Sequence, residues 1–100
     1  DEEKPPLDLL PTRPLLAVAA VLAHGAKKYG RFNWRQGMEW SRLTSAALRH
    51  ILAFNDGVDT DEETGLSPLA HALCDLLFLL AYQQEGLGTD DRRRVHYGTG

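Results

Sequence analysis

The segment from Ser67 to Glu85 constrains the fold of this chain more than any other part. Ser67-Pro68 is a strong helix start, with serine as cap and proline at the first helical position, and Gly86 supplies the stop. Between them Leu69, Leu73, Leu76, Leu77, Phe78, Leu79 and Leu80 cover nearly the whole circumference of a helix. A helix that is apolar all round must be buried on most sides. Two further helices from the same chain can hardly cover it. The expectation is an all-α fold: an antiparallel helical bundle completed by homo-oligomerisation, as a dimer or tetramer.

The rest of the chain supplies those two helices. Residues 1–13 are proline-rich and read as an extended segment, with Pro14 in the first turn of a helix after Thr12 or Arg13. Leu15 to Lys28 is rich in Ala, Leu and Val, and Gly30 ends it. Ser41 is a natural cap for a second helix running to about Asn55, whose Leu43, Ala46, Ala47, Ile51 and Phe54 fall at helical spacing. Residues 87–100 read as a flexible polar tail, so that one helical domain spans 14–86. No repeat or β-alternation stands out.

Between the last two helices, Asp56, Asp59, Asp61, Glu62 and Glu63 crowd into one short turn ending at Thr64-Gly65. Alone, such a turn reads as a solvated loop. It is not an EF-hand, because the glycine and terminal glutamate of that loop are missing. The third helix then adds His71 and Asp75, four residues apart on one face and ~6 Å apart along the axis. Singly, His71 reads as a hydrogen-bonded core histidine and Asp75 as an ion pair with Arg49 or Arg42. Together, beside the turn, they favour Mg²⁺ or Mn²⁺, held partly by protein and partly by a substrate phosphate. The ligand candidates are Asp59, Asp61, Glu62, Glu63, His71 and Asp75, with Asp61, Glu63 and Asp75 the catalytic ones.

A net charge of −3 argues against a stable nucleic-acid partner. It leaves small phosphate ligands open, because the charge is uneven. Lys27, Lys28, Arg31 and Arg35 precede the middle of the chain, interleaved with Phe32, Asn33 and Trp34. The cations suit phosphate oxygens, Phe32 or Trp34 suits a base face, and Asn33 a base or sugar edge. The competing reading has Phe32, Trp34 and Trp40 plugging the end of the bundle while the cations face water. Arg49 and His50 lie where the second helix should face the third, His50 as a polar core residue or a partner behind the ligands. His24 suits a helix C-terminus, and Arg92-Arg93-Arg94 reads as solvated. The single cysteine, Cys74, permits neither an internal disulfide nor a cysteine zinc framework and suits a reducing cytoplasm. No signal peptide is visible, and Leu76 to Ala81 is far too short to span a bilayer, so no membrane is expected.

These residues carry a resemblance. Ala72-Leu73-Cys74-Asp75-Leu76-Leu77-Phe78-Leu79 is similar to the last metal-binding helix of the MazG-like, all-α nucleoside triphosphate pyrophosphohydrolases. Leu9-Leu10-Pro11, Gly25 to Gly30, Asn33-Trp34, Ala47-Leu48-Arg49-His50, Asp61 to Gly65 and His71-Ala72 resemble its phage dATP/dGTP diphosphohydrolase (MazZ-like) branch, over roughly residues 7–82. Two positions depart: Ala72 stands where the broad family has Glu, and Val58 where the phage branch has Glu. His71 and the turn acids are the replacements at hand. The resemblance implies an oligomeric all-α bundle that hydrolyses a purine deoxynucleoside triphosphate, dGTP with possible dATP activity, to the monophosphate and pyrophosphate. It implies divalent metal ions at the carboxylates, basic residues on the leaving pyrophosphate, and work in a host cytoplasm if phage-encoded. The alternatives are a non-enzymatic nucleotide-binding regulator and an oligomeric helical adaptor.

Overall fold

The computed structural model describes residues 4–95. It is all-α. Helices α1 (Thr12–Tyr29), α2 (Trp40–Asn55) and α3 (Pro68–Glu85) follow a short 3₁₀ turn at Leu7–Leu9, and a second 3₁₀ turn at Asn33–Gln36 lies between α1 and α2. The middle layer is α3, which packs most extensively on α2 and more sparingly on α1.

Local signals set most helix ends. Ser67 caps α3 by accepting the Leu69 amide at 3.1 Å, with Pro68 behind it. Gly86 ends α3 in the left-handed region, where a side chain would be strained. Gly30 ends α1 as expected. That helix begins earlier than its composition suggested, at Thr12, with Pro14 in the first turn, where a missing N–H costs nothing.

The start of α2 differs from the expectation. Helix α2 begins at Trp40, and Ser41 is a donor in its first turn rather than the cap. Its amide (2.9 Å) and hydroxyl both donate to the Asp91 carboxylate, so the cap comes from fifty residues downstream. Residues 87–92 therefore dock on α2, where a flexible tail was expected. The Trp40 indole donates to the Leu87 carbonyl at 2.9 Å, Thr89 exchanges backbone bonds with Met38 and Trp40, and Arg92 lies over the Trp40 ring. Gly88 allows this approach, because a Cβ there would collide with the Met38 carbonyl. Arg92 and Arg94 both grip Asp90. The last five residues of the expected tail, 96–100, lie outside the described residues.

The core is small: Val18, Leu43, Ala47, Ala70, Ala72, Cys74 and Tyr82 are its buried apolar residues. On α2 the buried stripe is Leu43 and Ala47, whereas Ile51 and Phe54, expected inside, are exposed. On α3 the buried side chains are mostly small. Leu69, Leu73, Leu76, Leu77 and Leu80 are 39–50% exposed, along one side of the helix. No helix among the described residues is long and apolar enough to cross a membrane.

Candidate functional site

The antiparallel seam of α2 and α3 ends beside the acidic turn, and three histidine and acid side chains meet there. The rings of His50 and His71 stack with centroids 4.9 Å apart. His50 Nε2 stands 3.9 Å from Asp75 Oδ2, beyond hydrogen-bond reach. Asp75 Oδ2 is buried and has no hydrogen-bond partner. Burial pushes the Asp75 carboxyl up to about 6, with Arg49 opposing the shift. His50 is pushed down, first by burial and then by the neighbouring His71. Both changes favour uncharged forms, so these two groups do not form a settled ion pair.

The turn folds around Asp61. Its Oδ2 accepts the amides of Glu63 and Thr64 at 3.0 Å each and the Thr64 hydroxyl at 3.2 Å. The Thr64 amide is the main reason its carboxyl is held below the usual range. Backbone bonds of 2.7 Å from Asp61 to Leu66 and from Gly65 to Asp61 close the loop. Thr64 then reaches α3, its Oγ1 lying 2.8 Å from His71 Nε2. The turn and the helix face are thus one hydrogen-bonded unit. The loop bonds all fall on one oxygen of Asp61, Oδ2.

The other turn acids are less engaged. Asp59, Glu62 and Glu63 are exposed. Glu63 takes Lys28 Nζ at 3.6 Å, which brings the end of α1 against the acidic turn. Both partners are more than half exposed, so the pair is worth little to stability. Its value is positional: it sets a cation beside Glu63 of the turn.

The aromatic and basic loop divides. Trp34 is used by the fold: its ring stacks on Phe78 at 5.2 Å, and its carbonyl accepts the hydroxyl of the fully buried Tyr82. Phe32 is left open, like Tyr29; it is 62% exposed and in the left-handed region at φ 60°. Such a conformation is unusual for a bulky residue. Arg31 lies over the Phe32 ring, and both line a cavity of about 400 Å³ with Leu22 and Ala26 of α1. Asn33 opens the 3₁₀ turn and lines a neighbouring cavity with Tyr29. Arg35 is drawn away: it pairs with Glu85 at 3.6 Å, at the end of α3 opposite His71, about 20 Å along the axis. Lys27 and Arg49 are exposed.

Among the described residues, no three carboxylate, imidazole or thiol groups converge closely enough to enclose a metal ion by themselves. The residues present still fit one in part. A buried carboxylate oxygen without a donor is the kind of atom that a cation satisfies, and the His50 imidazole stands 3.9 Å from it, with the His71 ring stacked behind. Mg²⁺ commonly keeps only one or two protein carboxylates and takes its other ligands from water and phosphate. Thr64, which ties the turn to the helix, was absent from the residues that the sequence singled out. The Asp-x-x-Thr spacing was its available signal, since aspartate readily accepts amides two and three residues on.

The family model described as dATP/dGTP diphosphohydrolase, N-terminal, matches residues 1–92. A dATP/dGTP diphosphohydrolase of Salmonella phage PMBT28 is 44% identical over 93 residues, which make up 93% of this chain and 32% of that protein. The chain therefore spans about a third of the length of this relative. No solved structure matches. The chain belongs to the dATP/dGTP diphosphohydrolase N-terminal family.

Proposed function

We propose that this member of the dATP/dGTP diphosphohydrolase family hydrolyses dGTP and dATP to the monophosphate and pyrophosphate with the help of Mg²⁺ or Mn²⁺. The observation that carries the proposal is the unpartnered, buried Asp75 oxygen, 3.9 Å from His50, whose ring stacks on the His71 that Thr64 ties to the acidic turn, with Lys28 on Glu63 of that turn. The residues that would hold the ions are Asp75, His71, the free oxygen of Asp61, and Glu63, with Asp59 and Glu62 within the same turn. When bound, such ions supply positive charge against a triphosphate and make a water more acidic.

The chain's own groups have distinct tasks in this reading. Lys28 exchanges Glu63 for a phosphate oxygen, and Arg31 adds a second cation near the cavity mouth. Phe32 offers its open face to the base, and Asn33 a hydrogen-bonding edge. His50, packed against His71, lines the site beside Asp75. Asp61 fixes the turn with one oxygen and faces the site with the other. Arg35, held at Glu85, acts only if another copy brings it to a site.

Self-association belongs to the same proposal. The exposed leucines of α3 are the surface that a second copy would cover. A soluble nucleotide-metabolising role inside a host cell accords with this reading.

Incubation of the chain with dGTP and Mn²⁺, followed by separation of products, tests the activity. The expected pair is dGMP with pyrophosphate, absent without the metal and absent in Asp75→Ala. Release of dGDP with orthophosphate, or tight dGTP binding without product, would overturn it.

A further inference from the structure

The Thr64 hydroxyl sits among three polar atoms, and the arrangement has one self-consistent solution. Its Oγ1 lies 3.2 Å from Asp61 Oδ2, 2.8 Å from His71 Nε2 and 3.2 Å from the Leu66 amide nitrogen. A hydroxyl carries one proton and two lone pairs. The Leu66 amide can only donate, so it takes one lone pair. Asp61 Oδ2 already accepts two backbone amides, which is the bonding of an ionised carboxylate that can only accept. The hydroxyl proton must therefore point to Asp61. If it pointed to His71 instead, two lone-pair oxygens would face each other at 3.2 Å with no proton between them. His71 Nε2 is left to donate to the second lone pair.

We propose that Thr64 is a positioning residue that holds His71 as the Nε2–H tautomer, so that Nδ1 is the ring nitrogen left for a divalent cation. The ring is not free to turn over. A flip would break the 2.8 Å bond to Thr64. The backbone bonds that close the turn hold Thr64 itself in place. Orientation of an imidazole ligand through its other nitrogen is a general device for fixing which lone pair faces the ion. Here a threonine, itself oriented by a carboxylate, performs it. The cation part rests on the proposed function; the tautomer part stands on the hydrogen bonds alone.

The test is nitrogen-detected histidine spectroscopy on isotopically labelled, metal-free protein at about pH 8, above the ordinary histidine pKa. The expected wild-type spectrum has His71 Nε2 as the protonated nitrogen and Nδ1 as the unprotonated one. Thr64→Val should move both resonances to intermediate positions, the mark of mixed tautomers, and Thr64→Ser should restore the wild-type pattern with the same helical signal. A wild-type His71 protonated at Nδ1, or a Thr64→Val spectrum identical to wild type, would overturn the proposal. Calorimetric titration with Mn²⁺ reads the cation part. Thr64→Val should bind about tenfold more weakly or worse, and Thr64→Ser should match wild type. Equal Mn²⁺ affinity in wild type and Thr64→Val would overturn the cation part alone. Failure of the wild type to bind Mn²⁺ at all would overturn it together with the proposed function, while the tautomer remains decided by the spectra.

Discussion

Replacing Asp75 by asparagine should stabilise the metal-free protein while removing its function. The Asp75 side chain is only 18% exposed, and burial raises its carboxyl to about 6 from an ordinary value of 3.8. For an acid this direction means that the folded state binds the proton more tightly than the unfolded chain. Its contribution is therefore fully present below pH ~4 and is lost as the pH rises through ~6. About two pKa units correspond to roughly 3 kcal/mol of stability forfeited at neutral pH. The asparagine side chain carries no charge and forfeits nothing of this kind, though its buried amide offsets part of the gain by about 1 kcal/mol where it lacks partners. Urea unfolding of wild type and Asp75→Asn across this range is the assay. His50, whose pKa is depressed, gains stability as the pH rises through its own range, and the difference between the two proteins largely cancels that opposing trend. The variant should be the more stable by about 2 kcal/mol near pH 7.5, and the advantage should vanish near pH 4. Mn²⁺ at a hundredfold excess over its Kd should then raise wild-type stability by about 2.7 kcal/mol and leave the variant unmoved. A variant that is less stable at neutral pH, or a difference that ignores pH, would refute the reasoning.

Other consequences are simpler to measure. Asp91→Ala removes the distant cap of α2 and should cost about 1 kcal/mol in urea unfolding, without altering the candidate site. Phe32→Ala should weaken dGTP binding by about 1–3 kcal/mol in calorimetry if the open ring stacks on the base, while Mn²⁺ binding alone stays unchanged. Leu73→Glu or Leu77→Glu places charge on the exposed stripe of α3 and should lower the mass seen by light scattering to that of a single chain. A wild type that is already monomeric would sink that last prediction.

The sequence was most legible where the signal is local. Ser67-Pro68, Gly86 and Gly30 mark helix ends through cap chemistry that depends on a few neighbouring residues, and the structure uses each of them. It was least legible where the partner is distant. Nothing near Ser41 announces that Asp91 will cap α2, and the polarity of residues 87–92 concealed a docked segment held by Trp40 and Gly88. Helix α3 taught a subtler lesson. Its all-round apolarity was read correctly, but the chain buries the small side chains Ala70, Ala72 and Cys74 and leaves most leucines outside. On α3, the i, i+4 placement of His71 and Asp75 on one helix was readable from their spacing. The hub Thr64 was not, because its reach to His71 depends on the closed geometry of the Asp61 turn. The choice between Phe32 and Trp34 likewise required knowing that Phe78 and Tyr82 claim the tryptophan.

The proposed reaction stands or falls on whether this site directs water to the α-phosphorus of a deoxynucleoside triphosphate. Turnover of dGTP with Mn²⁺ in heavy-oxygen water, with both products weighed by mass spectrometry, decides it. The expected outcome is label in dGMP and none in pyrophosphate. Label in the pyrophosphate, or dGDP and labelled orthophosphate in place of that pair, would contradict attack at the α-phosphorus.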